Sequence, residues 1–123
     1  MLILLGGCSD QINRSYATLQ DAQEAIKKGW IPGILPPSTH SIRESHNLNV
    51  NTGSGSFAFD PKDKDYIFTQ GASIEKIHPA FGTQIYELQK QGYGFAAYSR
   101  ENSAWRIAIH PSGKGHYWLK DTQ

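Results

Sequence analysis

His40, Glu44 and His46 fall at even positions of one polar-apolar alternation, so an extended backbone places all three side chains on the same side. A histidine, carboxylate and histidine set is the donor type that binds zinc or a similar ion. Side chains two residues apart on a strand stand about 7 Å apart, so such a site needs further ligands or a bulge to close around one ion. Glu44 with His46 can also form a general-base pair, because a carboxylate orients an imidazole near its useful pKa. No serine accompanies them in a G-x-S-x-G elbow or an S-x-x-K arrangement, which leaves the pair without a nucleophile. The plain alternative is a pair of polar positions near a sheet edge, satisfied by Arg43, a cross-strand residue or backbone amides.

Two other groups of residues could carry chemistry. Gly53-Ser54-Gly55 has the look of a phosphate loop but lacks the following Gly-Lys-Ser/Thr and precedes a strand, so it is read as a hairpin tip. Arg106, His110 and His116 sit among Trp105, Tyr117 and Trp118, a composition that serves either an interaction surface or cross-strand packing. His78, just before Pro79, is read as a loop residue. No cofactor motif is present in this reading.

The elements that position these residues follow from periodicity and punctuation. Thr18 and Asp21 have capping-box form, and Leu19, Ala22, Ala25 and Ile26 then share one side of a helix that Gly29 can end. Glu24 and Lys28 sit four apart on its wet side. Trp30 to Ser38 holds three prolines, which forbid a regular helix or central strand and predict an extended connector, with Trp30, Ile34 and Leu35 covering the core. Pro32 and Pro36 also allow a PxxP-type ligand reading.

Residues 41 to 51 alternate as a strand, residues 51 to 55 supply turn chemistry, and Ser56-Phe57-Ala58-Phe59 returns as a second strand. Asp60-Pro61 opens a short helix to about Thr69, and a further helix runs from about Thr83 to Gln91 with Ile85 and Leu88 inward. Residues 95–99, 104–110 and 115–119 then read as a β-meander, with Trp105, Ile107 and Ile109 on one face and Arg106 and His110 on the other. The expected fold is α+β: an antiparallel sheet, made of an N-terminal hairpin plus a C-terminal three-stranded meander, packed with two or three short helices.

Composition sets the outer bounds. A chain of 123 residues with 38% hydrophobic and 19% charged residues suits one folded domain. With 12 Lys+Arg against 11 Asp+Glu and no basic stripe, nucleic acid is not an expected partner. The single cysteine excludes an internal disulfide and a multi-cysteine metal site.

That cysteine closes Leu5-Gly6-Gly7-Cys8 and is followed by Ser9-Asp10, the form of a bacterial lipobox. Only Leu2, Ile3, Leu4 and Leu5 precede the glycines and no Lys or Arg does, so the leader is short of an ordinary signal peptide. A buried strand with an incidental cysteine is the alternative. The division expected is a truncated signal peptide at 1–7, a lipidated tether at 8–17 and a single domain at 18–123. No other stretch approaches the roughly 20 apolar residues of a transmembrane helix. Acyl chains on Cys8 supply about 0.8 kcal/mol per buried methylene, and two chains anchor stably. Ser9 after the cysteine fits the outer membrane of a Gram-negative cell, with the domain facing the periplasm.

The run Gly29 to Ser38, taken with Ile42, Glu44, His46, Leu48 and Asn51, resembles a family of small bacterial lipoproteins, the YbbD head-domain-like group, with a W-x-P-x-x-L-P-x-S…H-x-L-x-x-N signature. The upstream Tyr16-Ala17-Thr18-Leu19 fits as well, and the resemblance covers residues 5 to 59. It implies an envelope location and transfers no mechanism. Members carry acidic residues around the His-x-Leu step, where this chain has Asn47 and Asn49, which weakens a carboxylate-based metal site.

The expectation is therefore a monomer anchored by Cys8 in the bacterial cell envelope, acting by binding or structural association with an envelope protein. The alternatives are a metal-dependent or His/Glu-based hydrolase centred on His40, Glu44 and His46, and an immunity-type inhibitor of an envelope enzyme.

Overall fold

A computed structural model describes residues 11–47 and 52–120. Cys8, with the expected leader and the first residues of the tether, lies outside the described residues, as do Leu48 and Val50. The strands are β1 (Gln11–Thr18), β2 (His40–Asn47), β3 (Thr52–Ala58), β4 (Ser73–Ile74), β5 (Gly94–Arg100), β6 (Ser103–His110) and β7 (Lys114–Lys120). The helices are α1 (Gln23–Lys27), α2 (Tyr66–Thr69) and α3 (Thr83–Lys90).

The strands form one antiparallel sheet in the order β1-β2-β3-β7-β6-β5-β4. The expected division into a hairpin and a separate three-stranded meander is incorrect. β3 pairs with β7 from Ser54↔Trp118 to Ala58↔Lys114, which fuses the two halves. Two edge strands, β1 and β4, were also absent from the expectation. Residues 11–17, expected in the polar tether, and Thr18, expected as a helix cap, pair with β2 from Gln11↔Asn47 to Thr18↔His40. Only Ile12 and Tyr16 of β1 are even half-buried, so its local pattern is weak and its stability comes from a ladder with a distant segment. Thr52 to Gly55, expected as a turn, are likewise strand residues.

The inner face of the sheet carries most of the core. Ile42, Phe57, Trp105, Ile107, Ile109 and Tyr117 pack there against Ala22, Ala25 and Ile67 from the helical segments and Ile31, Ile34 and Leu35 from the connector. Gly29, at φ +82, ends the α1 region in a left-handed conformation that glycine takes without strain, and the Trp30 N–H returns to the Ala25 carbonyl at 3.0 Å. Pro32 and Pro36 are among the most completely buried side chains, so the PxxP segment is core and is not displayed as a ligand. Asp60 caps its segment by accepting from the Lys62 N–H at 3.0 Å, but the expected helix to Thr69 divides into a 3-10 turn, Pro61–Asp63, and α2.

On the outer face α3 lays Ile85 and Leu88 over Phe95 and Ala108, with Ile77, Tyr93 and Trp118 at the margin. This second, smaller cluster covers the β5-β6-β7 side. Among the described residues no helix is long and apolar enough to cross a membrane.

Candidate functional site

Alternation along β2 turns Ile42, Glu44 and His46 inward, and all three are buried. His40 does not join them. The β2-β3 register shifts between His40 and Arg43, and Ser41 sits at φ +52, so the strand bulges and leaves His40 exposed with its Nδ1 against Ser41 Oγ at 2.9 Å. The candidate polar set of His40, Glu44 and His46 is thereby separated, and among the described residues no group of three or more His, Cys, Asp or Glu is placed to hold an ion.

Glu44 and His46 form a sealed pair. Their side chains are 0% and 2% exposed, and His46 Nδ1 lies 2.5 Å from Glu44 Oε2. Nδ1 donates to Oε2 wherever the carboxylate is ionised, since an ionised carboxylate only accepts. Trp30 closes the pair from the connector: its ring stacks on His46 with centroids 3.7 Å apart and planes 13° apart, and Lys28 Nζ stands 5.0 Å above the indole.

Tyr117 of β7 reaches the same region over Gly55. A Cβ at Gly55 would lie 2.5 Å from the Tyr117 hydroxyl and closer still to the Arg43 carbonyl, so only glycine lets the phenol pass. Burial pushes the Glu44 carboxyl above its ordinary range against the pull of His46 and of Arg14, its cross-strand neighbour. Burial, then the Glu44 charge and Tyr16, push the Tyr117 phenol up as well. Glu44 Oε1, His46 Nε2 and the Tyr117 hydroxyl have no hydrogen-bond partner among the described residues. Chemically the cluster can hold a proton between carboxylate and imidazole. A general base must also reach the proton it abstracts, and both side chains are enclosed.

An accessible concavity lies on the opposite face. A groove of about 550 Å³ is lined by three consecutive residues of each of β1, β2 and β3. By register, Asn13 and Ser15, Arg43 and Ser45, and Ser54 and Ser56 share this outer face. Gln84 at the start of α3 and His116 and Trp118 of β7 complete the lining. Glu44, the acidic residue of the lining, has its fully enclosed carboxyl on the inner side. Arg43 is exposed and makes no ion pair among the described residues. His116 and Trp118 stack at 6.0 Å and 21°, and Trp118 stacks on Phe95 at 6.5 Å and 20°. Burial holds the His116 imidazole below its ordinary value, which favours the neutral ring.

Of the three residues expected at an interaction surface, only His116 lines the groove. Arg106 is held by Glu75, with Nε donating to Oε1 at 2.8 Å and Nη2 to Oε2 at 3.3 Å, and Phe81 covers it at 4.5 Å. Lys120 also reaches Glu75, at 3.4 Å. Burial acts to raise the Glu75 carboxyl, but the two cations outweigh it and hold it below the usual range. His110 accepts the Ser112 N–H at Nδ1, 3.1 Å, and Nε2 therefore donates to the Gln91 carbonyl, also at 3.1 Å. It is a clasp between the β6-β7 turn and the end of α3.

Sequence reasoning missed Tyr117 as a neighbour of Glu44, and it missed Arg43 with its hydroxyl-bearing neighbours. Gly55 was the available signal for the first: a glycine inside an alternating segment marks close approach by another group. The second had no local signal, because the groove is assembled by four strands and one helix.

No curated protein and no solved structure matches the chain. The family model of the YbbD head domain matches residues 10–58, so the resemblance carried by Trp30, Glu44 and His46 holds over the segment that forms β1, α1, β2 and β3.

Proposed function

We propose that the chain is a membrane-anchored envelope lipoprotein that works as a binding module, with the outer groove as its ligand face. The match to the YbbD head domain at residues 10–58 supports an envelope-associated family. The lipobox form of Leu5-Gly6-Gly7-Cys8 supports the anchor. The observation that carries the binding reading is the contrast between the two faces. The His/carboxylate pair suited to acid-base work is 2% and 0% exposed beneath Trp30, whereas the polar side chains open to solvent line a groove of about 550 Å³. Recognition requires reach, and here reach belongs to the groove.

Two measurements test this. In a bacterium that processes lipoproteins, mass spectrometry should find diacylglycerol on Cys8 and globomycin should block maturation; a free thiol on membrane-free protein would refute the anchor. The full chain carrying Cys8→Ala should co-sediment with isolated envelopes, and Ser45→Trp, which fills the groove, should abolish that. Co-sedimentation that is absent, or indifferent to Ser45→Trp, would refute the groove as the binding face.

A further inference from the structure

We infer that the outer groove recognises an acidic saccharide, with Arg43 taking its carboxylate; this deepens the binding reading above and rests on it. Three features of the groove point to that chemistry. The first is its hydrogen-bonding character. Ser15, Ser45, Ser54 and Ser56 bring hydroxyls, and Asn13 and Gln84 bring amides, to one surface. Each of these groups both donates and accepts, as the hydroxyls of a polyol do. The second is charge. Arg43 is exposed, lacks an ion pair among the described residues, and meets no acidic side chain on this face, since the Glu44 carboxyl lies enclosed on the other. A guanidinium presented this way accepts a carboxylate bidentately. The third is the pair of stacked rings at the β7 side, His116 and Trp118, 21° apart in plane, which offer a surface to the apolar C–H face of a pyranose.

Other occupants fit less well. At about 550 Å³ the groove is far larger than a small inorganic anion and lies within the range of organic-ligand sites. A peptide adding as a strand needs free backbone groups, which β1 offers only along its outer edge, beside the groove; within it the backbone of β2 and β3 is committed on both sides, to β1 and β3 and to β2 and β7. Nor are there deep apolar pockets for side-chain anchors, since Ser, Asn and Arg dominate the three strands here. A nucleic acid would need a row of cations, whereas the groove lining brings two, Arg14 and Arg43, and the net charge of the chain is +1.

The test is a ¹⁵N-resolved NMR titration of the full chain carrying Cys8→Ala, with D-glucuronate, D-glucose and acetate as probes. Glucuronate should shift the amides of residues 13–15, 43–45 and 54–56 and the Trp118 indole N–H saturably. Glucose, which lacks the carboxylate, and acetate, which lacks the ring, should each bind at least about tenfold more weakly. Arg43→Gln should weaken glucuronate by at least about tenfold while the remaining spectrum stays folded. The inference is overturned by no saturable shift with glucuronate, by acetate binding as tightly as glucuronate, or by an Arg43→Gln protein of unchanged affinity. If envelope co-sedimentation is lost with Ser45→Trp yet glucuronate is silent, the saccharide fails and the binding module stands. If co-sedimentation is itself absent, the broader reading fails.

Discussion

Trp30 lies against His46 with ring centroids 3.7 Å apart and planes 13° apart, so a connector residue forms the lid of a buried pair on β2. The stack excludes water from the Glu44-His46 hydrogen bond, where an unpaired group is costly because little else can solvate it. Removing one partner of a buried pair leaves the other uncompensated, by about 3–5 kcal/mol. His46→Ala should therefore lower unfolding free energy by roughly that amount in urea titrations, and Trp30→Ala by about 3 kcal/mol. A loss under about 1 kcal/mol for His46→Ala would mean that the pair does not support the fold.

Gly55 and Gly53 make a matched comparison within β3. A methyl at Gly55 would meet the Tyr117 ring and hydroxyl at 2.5 Å, whereas at Gly53 the nearest atom is the Ser45 carbonyl at 3.6 Å, an ordinary contact. Gly55→Ala should cost at least about 2 kcal/mol through overpacking, and Gly53→Ala should stay within about 1 kcal/mol of wild type. Equal midpoints for the two variants in thermal melts would contradict the passage of Tyr117 over Gly55.

Glu75 should account for part of the acid sensitivity. Its folded carboxyl is held below the ordinary range by Arg106 and Lys120, and its unfolded value is about 4.3. A depressed carboxylate contributes stability that is full above the unfolded pKa and is lost as pH falls through the folded one. Glu75→Gln should lower stability by about 1–3 kcal/mol at neutral pH, and the gap to wild type should close as pH drops below about 4. A gap constant from pH 7 to pH 3 would remove the charge argument.

His116 titrates in the same direction for a different reason. Burial disfavours its imidazolium, so an NMR titration should place its midpoint below 6.5. Since the unfolded chain takes up that proton first, the contribution of His116 to stability is present above the unfolded value and declines as pH falls through the folded one. A midpoint at or above 6.5 would mean that the imidazolium is stabilised at the groove and would remove the burial argument.

Much of the local structure was legible. Thr83 to Lys90 forms a helix with Ile85 and Leu88 inward, and the strands at residues 94–100, 103–110 and 114–120 lie where glycine, proline and short polar turns demarcate them. These segments carry strong periodicity of their own, and the Trp30-to-Asn51 signature likewise sat in the sequence for direct reading. β1 and β4 carry little: one has two half-buried residues in eight and the other is two residues long, and both exist through pairing.

The candidate sites divide along the same line. Alternation on β2 was enough to put Glu44 and His46 on one side, but the bulge at Ser41 that ejects His40 depends on how β2 registers against β3. Sequence alone determined residue chemistry, periodicity and the lipobox form at Cys8. Tertiary structure decided which groups are enclosed and which are open, because the β3-β7 pairing brings Tyr117 over Gly55 on one face and sets His116 and Trp118 beside Ser54 and Ser56 on the other. That pairing joins segments far apart in the chain, and the periodicity within a strand gives its two faces but not its partner.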